Sequence, residues 1–119
     1  MTGMLTTHVL DLSNSKPAYD ILVELWRRGP DNTFEFLQRD YTNKDGRLNQ
    51  PLLKGMDMQI GYYELRFHVG DYYRKQGVNN GDPVFLDCVP VWFGIAEPAS
   101  HYHVPLLISP GGYSTYRGC

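Results

Sequence analysis

Histidines give this sequence its clearest chemical signal. His8 lies in a strand-like run, where a histidine either makes a local hydrogen bond or lines a site, and His101 and His103 form a His-x-His pair. In an extended strand alternate residues share a face, so both imidazoles of the pair would project the same way. Histidine titrates near neutral pH, and the three residues therefore fit acid–base chemistry.

A metal site is the alternative interpretation of the pair. Zinc needs a third and a fourth ligand, and the remaining candidates are His8, His68 and two cysteines, none of them at the spacing of a zinc motif. We therefore predict no metal. His68 falls on the charged face of its strand, and we expect it at the solvated surface.

Two further segments are candidates. Arg47 directly follows an Asp45-Gly46 turn signal, a position in which most arginines are surface residues. The last residues, YSTYRGC at 113–119, are strand-like and aromatic, whereas chain termini are usually polar and frayed. We expect this tail to pack against the fold or against another subunit.

Period-two alternation indicates the elements that position these residues. At 62–69 one face is apolar or aromatic and the other is charged. The sequence predicts strands at 5–12, 19–25, 33–41, 62–69, 89–95, 102–108 and 113–118, and one short helix at 71–76. Short strands separated by turn signals are typical of an antiparallel β-sandwich, here a single domain over 1–119.

Composition excludes several classes of protein. The net charge is -2, so no basic surface for nucleic acid is expected. Hydrophobic residues make up 42%, which excludes disorder, yet no apolar run approaches the ~20 residues of a membrane span. The start resembles no signal peptide, and two cysteines fit reduced thiols, so we expect a cytoplasmic protein. A peroxisomal location is the alternative, although no targeting signal is visible.

Four blocks occur in one order: LTTHVLD at 5–11, DGR at 45–47, HYHVPLL at 101–107 and YSTYRG at 113–118. Together they closely resemble the transthyretin-related 5-hydroxyisourate hydrolases, over essentially the whole chain. The resemblance implies an all-β transthyretin-like sandwich of two four-stranded sheets with one short helix. It also implies a homotetramer, built as a dimer of dimers, with the active sites in the channel between dimers.

The resemblance also implies the site residues. The catalytic set falls on His8, Arg47 and His103. His8 and Arg47 would also bind substrate, together with a terminal block, which comprises Tyr116, Arg117, Gly118 and Cys119. His101 and Ser114 would orient the catalytic groups without contacting the substrate, and no cofactor is needed.

The implied activity is a cyclic amide hydrolysis in urate degradation. 5-Hydroxyisourate would be opened at its N1–C6 bond to give 2-oxo-4-hydroxy-4-carboxy-5-ureidoimidazoline. Either His8 or His103 would activate water, and Arg47 would pair with substrate oxygens. Two alternatives are a transthyretin-type carrier of thyroid hormone without catalysis, and a structural sandwich whose polar motifs assist assembly.

One position departs from the family. Its tail usually ends Tyr-Arg-Gly-Ser, whereas this chain has Cys119 in place of the serine. The substitution exchanges a hydroxyl for a thiol, which is a weaker hydrogen-bond donor. We expect altered activity if that group contacts substrate or water, and a nucleophilic thiol is the least favoured interpretation.

Overall fold

The computed structural model describes residues 3–119, which form nine strands and one α-helix. The strands are β1 (Met4–Asp11), β2 (Lys16–Pro17), β3 (Leu22–Arg28), β4 (Phe34–Tyr41), β5 (Leu53–Lys54), β6 (Gly61–Phe67), β7 (Val89–Ile95), β8 (His101–Ser109) and β9 (Gly112–Thr115). The helix, α1, is Val69–Lys75, and short 3-10 turns lie at Pro30–Asn32 and Gly55–Asp57. No helix among residues 3–119 is long and apolar enough to cross a bilayer.

Two sheets make up the fold, which confirms the predicted all-β class. The first runs in the order β2-β1-β8-β9, with β5 also pairing with β1, and the second runs β4-β3-β6-β7. The pairing of β1 with β8 is parallel, in contrast to the antiparallel arrangement expected from the sequence. Alternation identifies the two faces of a strand but not the direction of its neighbour. Most of the chain separates β1 from β8, and such a connection permits a parallel pair.

Several element boundaries differ from those predicted. The strand expected at 19–25 begins only at Leu22, because Asp20 adopts a left-handed backbone with φ of 64° and turns the chain. The helix starts two residues earlier than expected, at Val69. The strand of the tail ends at Thr115, and beyond it only an isolated bridge joins Gly118 to His103. The two-residue strands β2 and β5 carry too little pattern for a sequence-based prediction.

The hydrophobic core lies between the two sheets. Along β1 every second residue is buried, and Leu5 and Val9 are completely inaccessible to solvent. Leu106 on β8 and Leu25 and Leu65 on the second sheet are equally inaccessible. Since the inward residues of β1 and β8 fill the core, their intervening residues must project from the outer face of the first sheet.

A buried carboxylate ties the helix to the first sheet. Asp11, at the end of β1, is fully buried and accepts hydrogen bonds from the hydroxyls of Tyr72 and Tyr73 at 2.8 and 2.7 Å. Ser13 and Asn14 donate to the same carboxylate. Burial alone would raise the pKa of Asp11, but the hydrogen bonds outweigh it and hold the pKa below its ordinary value.

Replacing this carboxylate is expected to weaken the fold. In Asp11→Asn the amide group cannot accept all of these donors, and it adds donors of its own among them. We expect the free energy of unfolding to fall by about 3 kcal/mol, measured by urea denaturation at one fixed protein concentration. Because the folded carboxyl has the lower pKa, its contribution is complete above the ordinary value of 3.8 and disappears as pH falls through the folded pKa.

The control is Asp57→Asn, which changes an exposed carboxylate on a 3-10 turn. It should alter stability by less than about 0.5 kcal/mol. Equal stability of the two variants at pH 7 would contradict an anchoring role for Asp11.

Candidate active site

The outer face of the first sheet brings three predicted histidines near one another. Thr6 and His8 project from β1, because their neighbours Leu5, Thr7 and Val9 alternate into the core. The parallel register sets Thr6 opposite His103 and Met4 opposite His101 on β8. The predicted sharing of one face by His101 and His103 agrees with the structure, in which their ring centroids lie 6.1 Å apart.

One hydroxyl connects the two histidines of β8. The Thr6 Oγ1 atom lies 2.7 Å from His101 Nε2 and 2.8 Å from His103 Nδ1. The histidines therefore interact through Thr6 rather than by direct contact. The sequence analysis missed this residue because threonine is common in strands. The signal was its position two residues before His8, which places it on the same face.

A tight turn presents Arg47 to this face. The Asn43 side-chain oxygen accepts hydrogen bonds from the backbone N–H groups of Asp45 and Arg47, at 2.9 and 3.1 Å. Gly46 has φ of 77° and packs against β1, where its carbonyl accepts a hydrogen bond from the N–H of Val9 at 2.8 Å. A Cβ at Gly46 would collide with the carbonyl oxygen of Val9, so both the backbone angle and the close approach require glycine.

His8 holds the same turn. Its Nε2 lies 2.9 Å from the carbonyl oxygen of Asp45, and an isolated bridge pairs the backbones of His8 and Arg47. A carbonyl only accepts hydrogen bonds, so Nε2 of His8 carries the proton and Nδ1 of the neutral ring has none. Burial and the neighbouring Arg47 lower the pKa of His8, against a smaller opposing effect of Asp45.

A cleft of about 240 Å³ opens between the β8 histidines and the Arg47 turn. It is lined by Thr6, Thr7, Arg47, Leu48, Gln50, His101, His103 and Cys119. Its lining joins four distant parts of the sequence: the first strand, the central turn, the eighth strand and the tail. Leu48 and Gln50 had no distinguishing pattern in the sequence.

The tail closes one side of the cleft. The N–H of Gly118 donates to the carbonyl of His103 at 2.8 Å, and Cys119 follows it into the cleft wall. A Cβ at Gly118 would lie 2.6 Å from Cδ2 of His103, closer than real side-chain contacts. Glycine at this position therefore lets the tail pack directly against the histidine ring.

Five residues of the expected set do not line this cleft. His8 and Gly118 are bridged to its lining residues Arg47 and His103, whereas Tyr116, Arg117 and Ser114 lie elsewhere. Tyr116 and Arg117 line a separate cavity of about 310 Å³ between the edges of the two sheets. The Arg117 guanidinium stacks over Tyr102 with its carbon 4.1 Å from the ring centroid. Ser114, on β9, pairs with Leu107 of β8 and is exposed. Sequence order alone did not separate these residues from Gly118 and Cys119.

The cleft favours the neutral form of His103. Burial lowers the pKa of His103, and the positive charge of Arg47 and the proximity of His101 and His8 lower it further. At neutral pH the ring is therefore unprotonated on one nitrogen and able to accept a proton. His68 lies between β6 and α1, where its Nε2 is 3.0 Å from Glu24 on β3, so it is paired rather than simply solvated.

No group of three or more His, Cys, Asp or Glu side chains among residues 3–119 is arranged to hold a metal ion. The arrangement instead combines neutral imidazoles, a permanent cation and a hydroxyl. These groups can accept a proton from water and stabilise an anion that forms nearby.

Comparison with known proteins gives consistent results. A sequence model of the HIUase/Transthyretin family matches residues 5–118. The 5-hydroxyisourate hydrolase of Halalkalibacterium halodurans is 53% identical over 118 residues, which cover 99% of each chain. That of Mesorhizobium japonicum is 54% identical, over 98% of this chain and 92% of its own.

Solved structures of similar proteins have the same fold as this chain. Klebsiella pneumoniae 5-hydroxyisourate hydrolase has a TM-score of 0.82 and 33% identity, over 98% of this chain and 99% of its own. A crystal structure of (S)-allantoin synthase has a TM-score of 0.93 and 43% identity, over 99% of this chain. The match spans 44% of that synthase, which is a longer protein. Since the family model covers nearly the whole chain and relatives exceed half identity over their length, the chain belongs to the HIUase/Transthyretin family.

Proposed function

We propose that this protein hydrolyses 5-hydroxyisourate to 2-oxo-4-hydroxy-4-carboxy-5-ureidoimidazoline, as a cyclic amide hydrolase in urate degradation. The observation that carries the proposal is the meeting of His103 and Arg47 in one cleft, from distant parts of the sequence. Relatives at about half identity are named 5-hydroxyisourate hydrolase. These names do not favour the thyroid-hormone carrier.

The reaction requires an activated water and a stabilised oxyanion. In the proposed mechanism, Nε2 of His103 takes a proton from water while the water oxygen bonds to C6 of the substrate. The negative charge that forms on the carbonyl oxygen is stabilised by the guanidinium of Arg47. The N1–C6 bond then breaks, and its electron pair passes to N1, which takes the proton held by the imidazolium of His103. C6 becomes a carboxylic acid, which ionises to the carboxylate by losing the remaining proton of the attacking water to solvent.

His103 is the better supported base of the two histidines that the sequence left open. It lines the cleft, whereas His8 donates to the carbonyl of Asp45 and holds the turn that carries Arg47. His8 also has an unprotonated Nδ1, which suits it to orient the attacking water. Gly118 and Cys119 form the wall of the substrate site on the side of the tail.

We propose a homotetramer, a dimer of dimers, in which Tyr116 and Arg117 reach the substrate site of a neighbouring subunit. Strands β7 and β9 each end a sheet and offer unpaired edges. Exposed apolar side chains, Leu12 at 58% and Tyr116 at 59% among them, also support association. Sedimentation velocity is expected to give four chains per particle. A fully active monomer would contradict shared sites.

A cytoplasmic location is part of the proposal. Both thiols, Cys88 and Cys119, are unpaired and exposed, which fits a reducing compartment. Cell fractionation is expected to recover the protein in the soluble cytoplasmic fraction. Recovery in the peroxisomal fraction would support the alternative location.

The hydrolytic role is tested with His103→Ala. Loss of a general base should lower kcat/KM by about 100-fold or more, followed as the ultraviolet decay of freshly generated 5-hydroxyisourate above the buffer rate. His101→Ala should cost less, on the order of tenfold, because its ring acts on His103 through Thr6. The matched control is His68→Ala, between β6 and α1 and outside the cleft lining, which should retain the wild-type rate. A His103→Ala protein with that rate would remove His103 as the base.

The electrostatic role of Arg47 is tested without substrate. In Arg47→Gln the positive charge that disfavours imidazolium is lost while the burial of both rings remains, so the pKa values of His103 and His8 should both rise toward the ordinary 6.5. The measurement is a titration of the histidine ring signals by nuclear magnetic resonance. Arg28→Gln, on the other sheet, is the control and should leave both titrations unchanged. Unmoved curves in Arg47→Gln would contradict the role assigned to this charge.

A further inference from the structure

We infer that Thr6 is a positioning residue whose hydroxyl, beside the charge of Arg47, holds His103 in the tautomer in which Nδ1 carries the proton and Nε2 is bare. The inference rests on the proposed hydrolysis for its consequence in the reaction, but it concerns an arrangement of protons that exists without substrate. It assigns to His101 a specific role, which is to accept a hydrogen bond from the Thr6 hydroxyl.

A hydroxyl group has a single proton to donate. Thr6 Oγ1 is within hydrogen-bond distance of two ring nitrogens, Nε2 of His101 and Nδ1 of His103. The hydroxyl can donate to only one of them, so the other nitrogen must carry a proton and donate to Oγ1. Two arrangements are therefore possible when both rings are neutral, and they assign opposite tautomers to His103.

In the first arrangement Thr6 donates to His103 Nδ1, and the proton of His103 is then on Nε2. In the second, Thr6 donates to His101 Nε2, and His103 donates its Nδ1 proton to Thr6. Only the second leaves a lone pair on Nε2 of His103, the nitrogen that the hydrolysis requires as a base.

The charge in the cleft favours the second arrangement. His103 and Arg47 line the same cleft, and Arg47 is permanently charged. With Nδ1 held by Thr6, Nε2 is the nitrogen available to the cleft. A protonated Nε2 would place a positive hydrogen in a space that already contains a guanidinium, whereas a lone pair there is attracted to it.

The strand pairing keeps this geometry fixed. Thr6 and His103 are directly opposite each other in the parallel ladder of β1 and β8. The next residue, Thr7, is buried and donates its hydroxyl to the carbonyl of Val104 at 2.6 Å, which ties the two strands together beside the site. Thr6 is therefore held by rigid elements, as a residue that orients a catalytic group must be.

The kinetic test compares Thr6→Val with Thr6→Ser. Valine preserves the shape of threonine but has no hydroxyl, so kcat for 5-hydroxyisourate should fall by about tenfold with KM nearly unchanged, on the order expected for one lost hydrogen bond. Serine retains the hydroxyl and should restore kcat to within about twofold of wild type. The control is Thr33→Val, which removes a hydroxyl bonded to the Pro30 carbonyl far from the cleft and should leave kcat unchanged.

The direct test reads the protons themselves. Long-range nitrogen–proton correlation spectra of the substrate-free protein, recorded at a pH where the rings are neutral, distinguish a protonated ring nitrogen from a bare one. We expect the wild type to have the proton on Nδ1 of His103 and a bare Nε2 on His101. In Thr6→Val the His103 signals should shift toward the tautomer protonated on Nε2, and in Thr6→Ser they should match the wild type.

The spectra separate this inference from the proposed function. A wild-type His103 protonated on Nε2, or a tautomer unchanged in Thr6→Val, would overturn the role of Thr6 whatever the activity. The expected spectra in a protein that does not accelerate decay of 5-hydroxyisourate would instead refute the proposed hydrolysis and leave the tautomer assignment standing. A Thr6→Ser protein as slow as Thr6→Val would show that the methyl group matters rather than the hydroxyl, and would also overturn the inference.

Discussion

The parallel, in-register pairing of β1 with β8 is the constraint on which the rest of the site depends. Eight consecutive residue pairs hold this register, from Met4 with His101 to Asp11 with Ile108. A slip of one residue would turn every side chain of β1 to the opposite face. Leu5 and Val9 would then leave the core, so the packing of the interior fixes which side chains face the cleft. Burial of apolar surface thus fixes the relative positions of Thr6 and His103.

One strand consequently serves three purposes. The inward residues of β1 fill the core, its outward residues Thr6 and His8 line the cleft and hold the Arg47 turn respectively, and its last residue Asp11 anchors the helix through Tyr72 and Tyr73. Both outward groups act on something other than the core, Thr6 on the β8 histidines and His8 on the Arg47 turn. The arrangement explains how a chain of 119 residues with one short helix can hold a buried anchor and a polar cleft on the same sheet.

The fold class was predictable from the sequence, and the site residues were proposed from it, for different reasons. Alternation identified the strands because a half-buried sheet imposes a period of two, and the four matching blocks pointed to His8, Arg47 and His103. Strand direction and the start of β3 were not predictable, since they depend on partners and on the left-handed backbone at Asp20. The position of Thr6 opposite His103 could be recognised only once the register between β1 and β8 was known. Tyr116 and Arg117 turn away because the tail leaves β9 at Thr115 before it returns to His103.

A hydroxyl in the position of Thr6 has an electrostatic consequence that a carboxylate would not have. Catalytic histidines are commonly oriented by an aspartate or glutamate on the second ring nitrogen, which stabilises imidazolium. A negative charge there would raise the pKa of His103 and counteract Arg47, whose positive charge lowers it. Within residues 3–119 no Asp or Glu side chain lines the cleft, and the contact of Asp45 with His8 is through its backbone carbonyl. Thr6 orients the ring as a neutral group, so orientation and a low pKa coexist. The same cation that would stabilise the oxyanion thereby keeps the base unprotonated before the reaction begins.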